Sequence, residues 1–171
     1  MPLVLGRSGN FHVVSWVGSA SLQEAQMLST DVEQFRASRP KNVPVHGVCI
    51  LTDTTQPPAK DARAYMDQQV PHLLQQIESM HYVLEISSGF RRATLQAIIS
   101  GSFLMRGVGD RIDCHTSLKV FLERIGRKNI VHTTTSILLE NEIRRVIREA
   151  AITASPKSLS CNPSLLRGVF L

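Results

Sequence analysis

The chain has few cysteines and no long apolar run, and both shortages exclude classes of protein. Its 171 residues include three cysteines, Cys49, Cys114 and Cys161, without a Cys-x-x-Cys spacing. This odd number fits neither a disulfide framework nor a zinc site, so we expect reduced thiols. No stretch approaches the ~18 uninterrupted apolar residues of a membrane span, and the N-terminus lacks the pattern of a signal peptide. The sequence therefore predicts a cytoplasmic protein without a membrane partner.

Aromatic residues are also few, and this bears on nucleic-acid binding. The formal net charge is +5, but aromatics make up only 5% of the chain and do not alternate with basic positions, so a stacking platform for single strands is not expected. The basic excess is regional: residues 1–86 hold 6 Lys/Arg against 8 Asp/Glu, residues 87–128 hold 8 against 3, and residues 129–171 hold 5 against 3. We therefore predict no nucleic-acid partner.

The pattern that is present alternates strands with helices. Two β-rich runs, residues 3–5 and 11–17, flank a glycine-containing turn and predict a β-hairpin. A helical pattern follows from Ser19 or Ser21, and three more strand patterns, each followed by a helical one, occur at 45–51, 81–86 and 112–115. This alternation predicts an α/β fold with a mixed sheet of about five strands, parallel except at the hairpin, and four helices.

The second helical pattern contains a proline. Pro71 lacks a backbone N–H, and its ring clashes with the preceding helical turn. We therefore expect a kink or break near Val70.

An additional C-terminal helix is predicted over residues 136–152. Leu139, Ile143, Val146 and Ile147 form one apolar stripe on it. The stripe must be covered by the chain's own sheet or by another copy, and we favour a homodimer. The chain is thereby divided into a domain over 1–128, the helix region over 129–152 and an irregular tail over 153–171.

The order of elements resembles that of STAS domains, the group that includes bacterial anti-anti-sigma factors. The resemblance covers about residues 3–126 and is sharpest at Ile86-Ser87-Ser88-Gly89-Phe90, which looks like that family's Asp-Ser-Ser-Gly-Leu signature. It implies a STAS-like fold and a non-enzymatic regulatory module that binds a protein partner of the anti-sigma factor and kinase type. By this matching Ser88 is the serine that the partner kinase phosphorylates, with Ser87 as its neighbour, and Ile86 stands where the family has aspartate.

The same residues favour an anion on physical grounds. Ser87 and Ser88 lie where a strand ends and a helix begins, and free backbone N–H groups there attract negative charge. Arg91 and Arg92 in the first helical turn add positive charge. In the alternative interpretation a serine only caps the helix, Gly89 relieves the turn and both arginines are solvated.

Candidate catalytic and metal-binding residues are scarce. Cys114 and His115 are consecutive in a strand, so their side chains should point to opposite faces and cannot form a dyad. The strand histidines, His12, His46, His81 and His115, show no His-x-x-x-His spacing and are interpreted as structural. We predict no catalytic residue, metal or cofactor. Two alternatives stay open: an assembly subunit that acts through homo-oligomerisation without a switch, and an α/β enzyme using Asp113, Cys114 or a histidine cluster.

Overall fold

The computed structural model describes residues 3–104, 109–128, 130–131 and 133–155. The predicted helix end at Gly107, Cys161 and most of the predicted tail lie outside these ranges. The strands are β1 (Leu3–Ser8), β2 (Phe11–Trp16), β3 (His46–Thr52), β4 (Ser79–Glu85) and β5 (Ile112–His115). The helices are α1 (Leu22–Ala37), α2 (Lys60–Gln76), α3 (Gly89–Leu104), α4 (Leu118–Arg127) and α5 (Thr133–Ala154), with a short 3-10 turn over Gly109–Arg111.

All five strands form one mixed sheet in sequential order, β1-β2-β3-β4-β5. β1 pairs with β2 antiparallel, and each later pair is parallel. The hairpin turns at Gly9, whose φ of 55° lies in the left-handed region that glycine adopts without strain. The α/β class, the N-terminal hairpin and the five-stranded sheet are thus confirmed.

The helices cover both faces of the sheet. On one face Leu28 of α1, Met66 of α2 and Leu95 of α3 pack against strand residues that include Cys49 and Leu84. On the other face α4 and α5 pack against alternate strand residues; this core contains Phe11, Val13, Val48, Ile50, Val83, Phe121, Ile125, Leu139, Ile143 and Val146. Successive strand residues therefore contribute to different cores, as the two-residue period of a strand requires. Within the described ranges, no helix combines the length and hydropathy that crossing a bilayer demands.

α5 folds back on its own domain. Leu139, Ile143 and Val146 are fully buried in the core that α5 shares with the sheet. The backbone N–H of Arg7 in β1 donates to Glu142 at 3.0 Å. Of the two coverings left open for this stripe, the chain's own sheet is therefore the one observed, and the homodimer stays a prediction. The helix also starts three residues before the predicted position and extends two residues into the predicted tail.

α2 continues through Pro71 to Gln76, so of the predicted kink or break near Val70, the break does not occur. Met66 before the proline packs on the sheet, and Leu74 after it is buried against α1. Both halves of the helix are therefore held in place by packing. Pro71 lies on the exposed side of the helix, so its ring does not disturb this packing. We infer that the packing on both sides compensates for the one backbone hydrogen bond that proline cannot donate.

Candidate functional site

The predicted site lies at the carboxyl end of β4, where the chain enters α3. β4 ends at Glu85 and α3 begins at Gly89, so Ser87 and Ser88 occupy the connection. We call residues 87–92 the serine corner. All the predicted site residues fall within it, and the neighbouring strands β3 and β5 run parallel to β4 on either side.

Ser88 caps α3. Its side-chain oxygen accepts the backbone N–H of Arg91 at 3.4 Å, and its carbonyl accepts the N–H of Arg92 at 3.0 Å. The side-chain hydrogen bond is long and therefore weak. Ser88 is exposed, so its hydroxyl is accessible to another protein while it caps the helix.

A carboxylate from the next strand completes the corner. Asp53 directly follows β3, and its two carboxylate oxygens accept the backbone N–H of Ser87 at 3.2 and 3.1 Å. The side chain and the backbone N–H of Ser87 both lower the pKa of Asp53, and the charges of Arg91 and Arg92 lower it further. Asp53 thus places an acidic group at the corner, whereas Ile86, where the resemblance to STAS domains would have an aspartate, is buried.

Sequence reasoning missed Asp53, although a signal for it existed. Register pairs Thr52 with Glu85, so the residue after each strand lies at the same edge of the sheet. Carboxyl ends of adjacent parallel strands meet in this way in α/β proteins. The position of Asp53 directly after a predicted parallel strand is therefore the sequence signal that would have placed it near Ser87 and Ser88.

The two arginines of the corner hold loops together. Arg91 donates to the carbonyl of Asp53 at 2.6 Å and to that of Thr55. Arg92 donates to the carbonyl of Ile86 at 2.7 Å and reaches that of Thr116 at 3.5 Å. The interpretation of both arginines as solvated side chains is therefore wrong. Their charge remains close to Ser88, but in this conformation their guanidinium groups are bonded to backbone oxygens.

An open groove lies beside the serine corner, between α2 and α3. Its volume of about 690 Å³ lies within the ~300–1,000 Å³ range of ligand pockets. We call it the α2–α3 groove, and its apolar lining comprises Trp16, Leu51, Met66, Val70, Tyr82, Phe90, Leu95, Ile98 and Ile99. Phe90 is 85% exposed and Ile98 is 57% exposed. α3 therefore has two apolar surfaces, one packed on the sheet and one exposed at the groove. The sequence pattern alone did not show which apolar residues of α3 belong to each.

A second polar cluster lies on the opposite face of the sheet, under α4. His46 Nδ1 lies 2.8 Å from Ser79 Oγ, and that oxygen lies 2.9 Å from His81 Nε2. His81 Nδ1 in turn lies 3.2 Å from His115 Nε2. The fold thus connects three of the four strand histidines through hydrogen-bonding distances, while His12 lies apart and contacts Asp31 at 2.6 Å.

Asp113 borders this cluster. Its Oδ2 lies 3.9 Å from His81 Nδ1 and 2.9 Å from the Lys128 ammonium, and its Oδ1 lies 3.2 Å from Arg124. Partial burial would raise the pKa of Asp113, but Lys128 and Arg124 lower it below its ordinary value. Burial lowers the pKa of His81 to about 3 and that of His115 to about 4. At neutral pH the cluster therefore combines uncharged imidazoles with one carboxylate, and these three residues could hold a metal ion.

The prediction that Cys114 and His115 cannot form a dyad is confirmed. Cys114 packs with the core under α1, α2 and α3, whereas His115 lies beside Phe121 of α4. Burial also raises the pKa of the Cys114 thiol to about 11. The thiolate that nucleophilic catalysis needs is therefore scarce at neutral pH.

Comparison with known proteins yields no relative. No protein-family model matches the chain, and no curated protein or solved structure matches it. The sheet itself is the basis for the α/β class, and the STAS resemblance continues to depend on element order and on the signature around Ser88.

Proposed function

We propose that the protein is a non-enzymatic regulatory module of the STAS type, which binds a protein partner at the serine corner and the α2–α3 groove. The observation that carries this proposal is Phe90, which is 85% exposed and follows Ser88 by two residues. Aromatic side chains are enriched in the buried centres of protein interfaces, where most of the binding free energy is concentrated. The exposed phenyl ring thus joins the predicted modification site to a surface suited to an apolar partner.

Phosphorylation of Ser88 is the proposed switch. A phosphate adds about −1.5 to −2 charges and three acceptor oxygens, and the N-terminus of the 16-residue helix α3 would stabilise that charge locally. The negative charge of Asp53 repels that of the phosphate. Its carboxylate also accepts the backbone N–H of Ser87, so this N–H is not free to bind the phosphate. The phosphate would therefore be directed outward, toward Phe90 and a bound partner.

The geometry around Cys114 weighs against a thiol-based reaction. Cys114 and His115 lie on opposite faces of the sheet, and burial raises the pKa of the Cys114 thiol. These observations argue against an enzyme that would use Cys114 as its nucleophile.

Matched surface substitutions test the binding proposal. Phe90→Ala removes an exposed ring at the corner, while Ile152→Ala removes an exposed side chain, 68% accessible, from α5. Neither should affect folding by more than about 0.5 kcal/mol. We expect the partner captured by the wild-type protein to bind Phe90→Ala more weakly by about 2 kcal/mol and Ile152→Ala unchanged, as measured by calorimetry with the purified partner. Equal affinities for both variants and the wild type would contradict the proposal.

An assembly subunit is the second candidate function. α5 carries exposed apolar residues outside its buried stripe: Ile137 is 56% exposed and Leu138 is 59% exposed. A second copy could cover this outer surface. Sedimentation of the wild type and of Ile137→Glu decides the matter, because an assembly through this surface should dissociate in the variant. A monomer at high concentration in both would remove this candidate.

A further inference from the structure

We propose that His81, His115 and Asp113 form a binding site for a zinc-class divalent cation on the α4 side of the sheet. This inference is independent of the serine corner, which lies at the carboxyl ends of the strands. It concerns binding of the ion and assigns no reaction to it.

Strand register brings the three side chains together. β4 and β5 are parallel neighbours that pair His81 with Asp113 and Val83 with His115. Asp113 and His115 are two residues apart in β5, so both point to the face that His81 occupies. The three side chains each offer one ligand atom, and these atoms lie within 4.8 Å of one another.

The distances suit a tetrahedral ion. His81 Nδ1 and His115 Nε2 are 3.2 Å apart, and two nitrogen ligands of a tetrahedral zinc ion are separated by roughly 3.4 Å. The nearer Asp113 oxygen is 3.9 Å from His81 Nδ1. The three ligand atoms lie within 4.8 Å of one another, so the carboxylate must move toward the two nitrogens to enter the coordination sphere. Two imidazoles and one carboxylate are among the ligand sets that zinc uses when one position stays open to water.

Ser79 and His46 form a hydrogen-bonded pair next to His81, on the side of its ring away from the proposed ion. Ser79 Oγ lies 2.9 Å from His81 Nε2 and 2.8 Å from His46 Nδ1. The Ser79 hydroxyl can donate to His46 and accept the Nε2–H of His81, which leaves the lone pair of His81 Nδ1 free for a metal ion. Outer partners of this kind fix the tautomer and orientation of a metal-binding histidine. Ser79 is therefore a positioning residue.

Asp113 can exchange its present partners for the ion. Lys128 and Arg124 bond its carboxylate, and their side chains are 47% and 54% exposed. Both can therefore turn into solvent when a cation replaces them as the counter-charge. Asp113 is itself 24% exposed, which gives an ion a path from solvent to the otherwise buried histidines. The ammonium of Lys128 should compete with the ion for the carboxylate.

Titration of the metal-stripped full chain with Zn²⁺ tests the proposal. We expect one ion per chain by calorimetry, and a tetrahedral absorption spectrum when Co²⁺ replaces Zn²⁺. Ser79→Ala should weaken binding by about 10–100-fold, and His115→Gln or Asp113→Asn should weaken it further. Lys128→Met should strengthen it, a result that general damage to the fold cannot produce.

His12→Gln is the matched control, since it also removes a buried strand histidine that contacts a carboxylate. This variant should bind Zn²⁺ like the wild type. Circular dichroism of every variant separates loss of ligand from loss of fold. The proposal is overturned if the wild type binds no Zn²⁺, or if His115→Gln and Asp113→Asn fold and bind it unchanged.

Discussion

The carboxylate of Asp53 accepts the backbone N–H of Ser87 across two adjacent strand ends. The connection that carries Ser87 and Ser88 is therefore bonded to the end of β3 as well as to its own helix. Arg91 strengthens the same link, because it bonds the carbonyl of Asp53 at 2.6 Å. Movement at one loop should accordingly be transmitted to the other.

Replacing Asp53 should loosen the corner. Asp53→Ala removes the acceptor of the Ser87 N–H, so hydrogen exchange at the Ser87 amide should become several-fold faster. Asp110→Ala, which removes an exposed carboxylate elsewhere, should leave that amide unchanged. Hydrogen exchange followed by NMR makes the comparison. Equal protection in both variants would show that the bond does not hold the loop in solution.

Substitutions of Ser88 should separate capping from regulation. Ser88→Asp keeps a capping side chain at a helix N-terminus, so it should fold normally and bind the partner about 5–150-fold more weakly. Ser88→Ala should bind the partner normally and lose up to about 1 kcal/mol of stability with the cap. Calorimetry and urea unfolding measure the two effects. Identical partner affinity in both variants would reduce Ser88 to a helix cap.

The packing of α5 can be tested at a glycine. A Cβ atom on Gly6 would lie 2.7 Å from Glu142 Oε1 and 2.8 Å from Val146 Cγ2, whereas one on Gly101 would meet nothing within 4 Å. Gly6→Ala should therefore destabilise the protein by about 1–3 kcal/mol through overpacking. Gly101→Ala lies inside α3 and should stabilise it by up to about 1 kcal/mol. Urea unfolding of the two variants provides the contrast, and equal stability would place α5 farther from β1.

Stability should fall when the pH is lowered below about 6.5. Burial lowers the pKa of His12, His46, His81 and His115, to about 3 for His81 and about 4 for His115. As the pH drops below 6.5, the unfolded chain binds protons that the folded chain does not, so the free energy of unfolding decreases. Each histidine that stays neutral in the folded state contributes up to ~1.4 kcal/mol per pH unit. Urea unfolding in EDTA between pH ~7.5 and ~5 measures the slope.

His12→Gln should reduce that slope without abolishing it. The carboxylates of Asp31 and Asp113 act in the opposite direction, because they raise the pKa of the histidines beside them. At His12, whose Nε2 lies 2.6 Å from Asp31, the carboxylate therefore offsets part of the effect of burial. A flat profile over this range would mean that the imidazoles are protonated in the folded state.

Local patterns in the sequence predicted the strands and helices, but they did not predict which surfaces pack against each other. Ser21 caps α1 in a capping box with Glu24, and it was one of the two predicted caps, because nearby residues are enough to indicate a cap. The stripe of α5 was also recognised, yet its spacing carries no information on which surface covers it. Asp53 was missed for a related reason, since its partner Ser87 is 34 positions away and only strand pairing brings them together.

The contact between Arg7 and Glu142 joins residues separated by 135 positions, and it has a consequence for synthesis on the ribosome. The core on the α4–α5 side includes Val4 and Phe11 near its beginning and Val146 and Ala150 near its end. A nascent chain therefore exposes the apolar strand surface that α5 covers until almost all of α5 has left the exit tunnel. Such surface invites aggregation while it is uncovered, so the protein should depend on chaperones during translation more than its size alone requires.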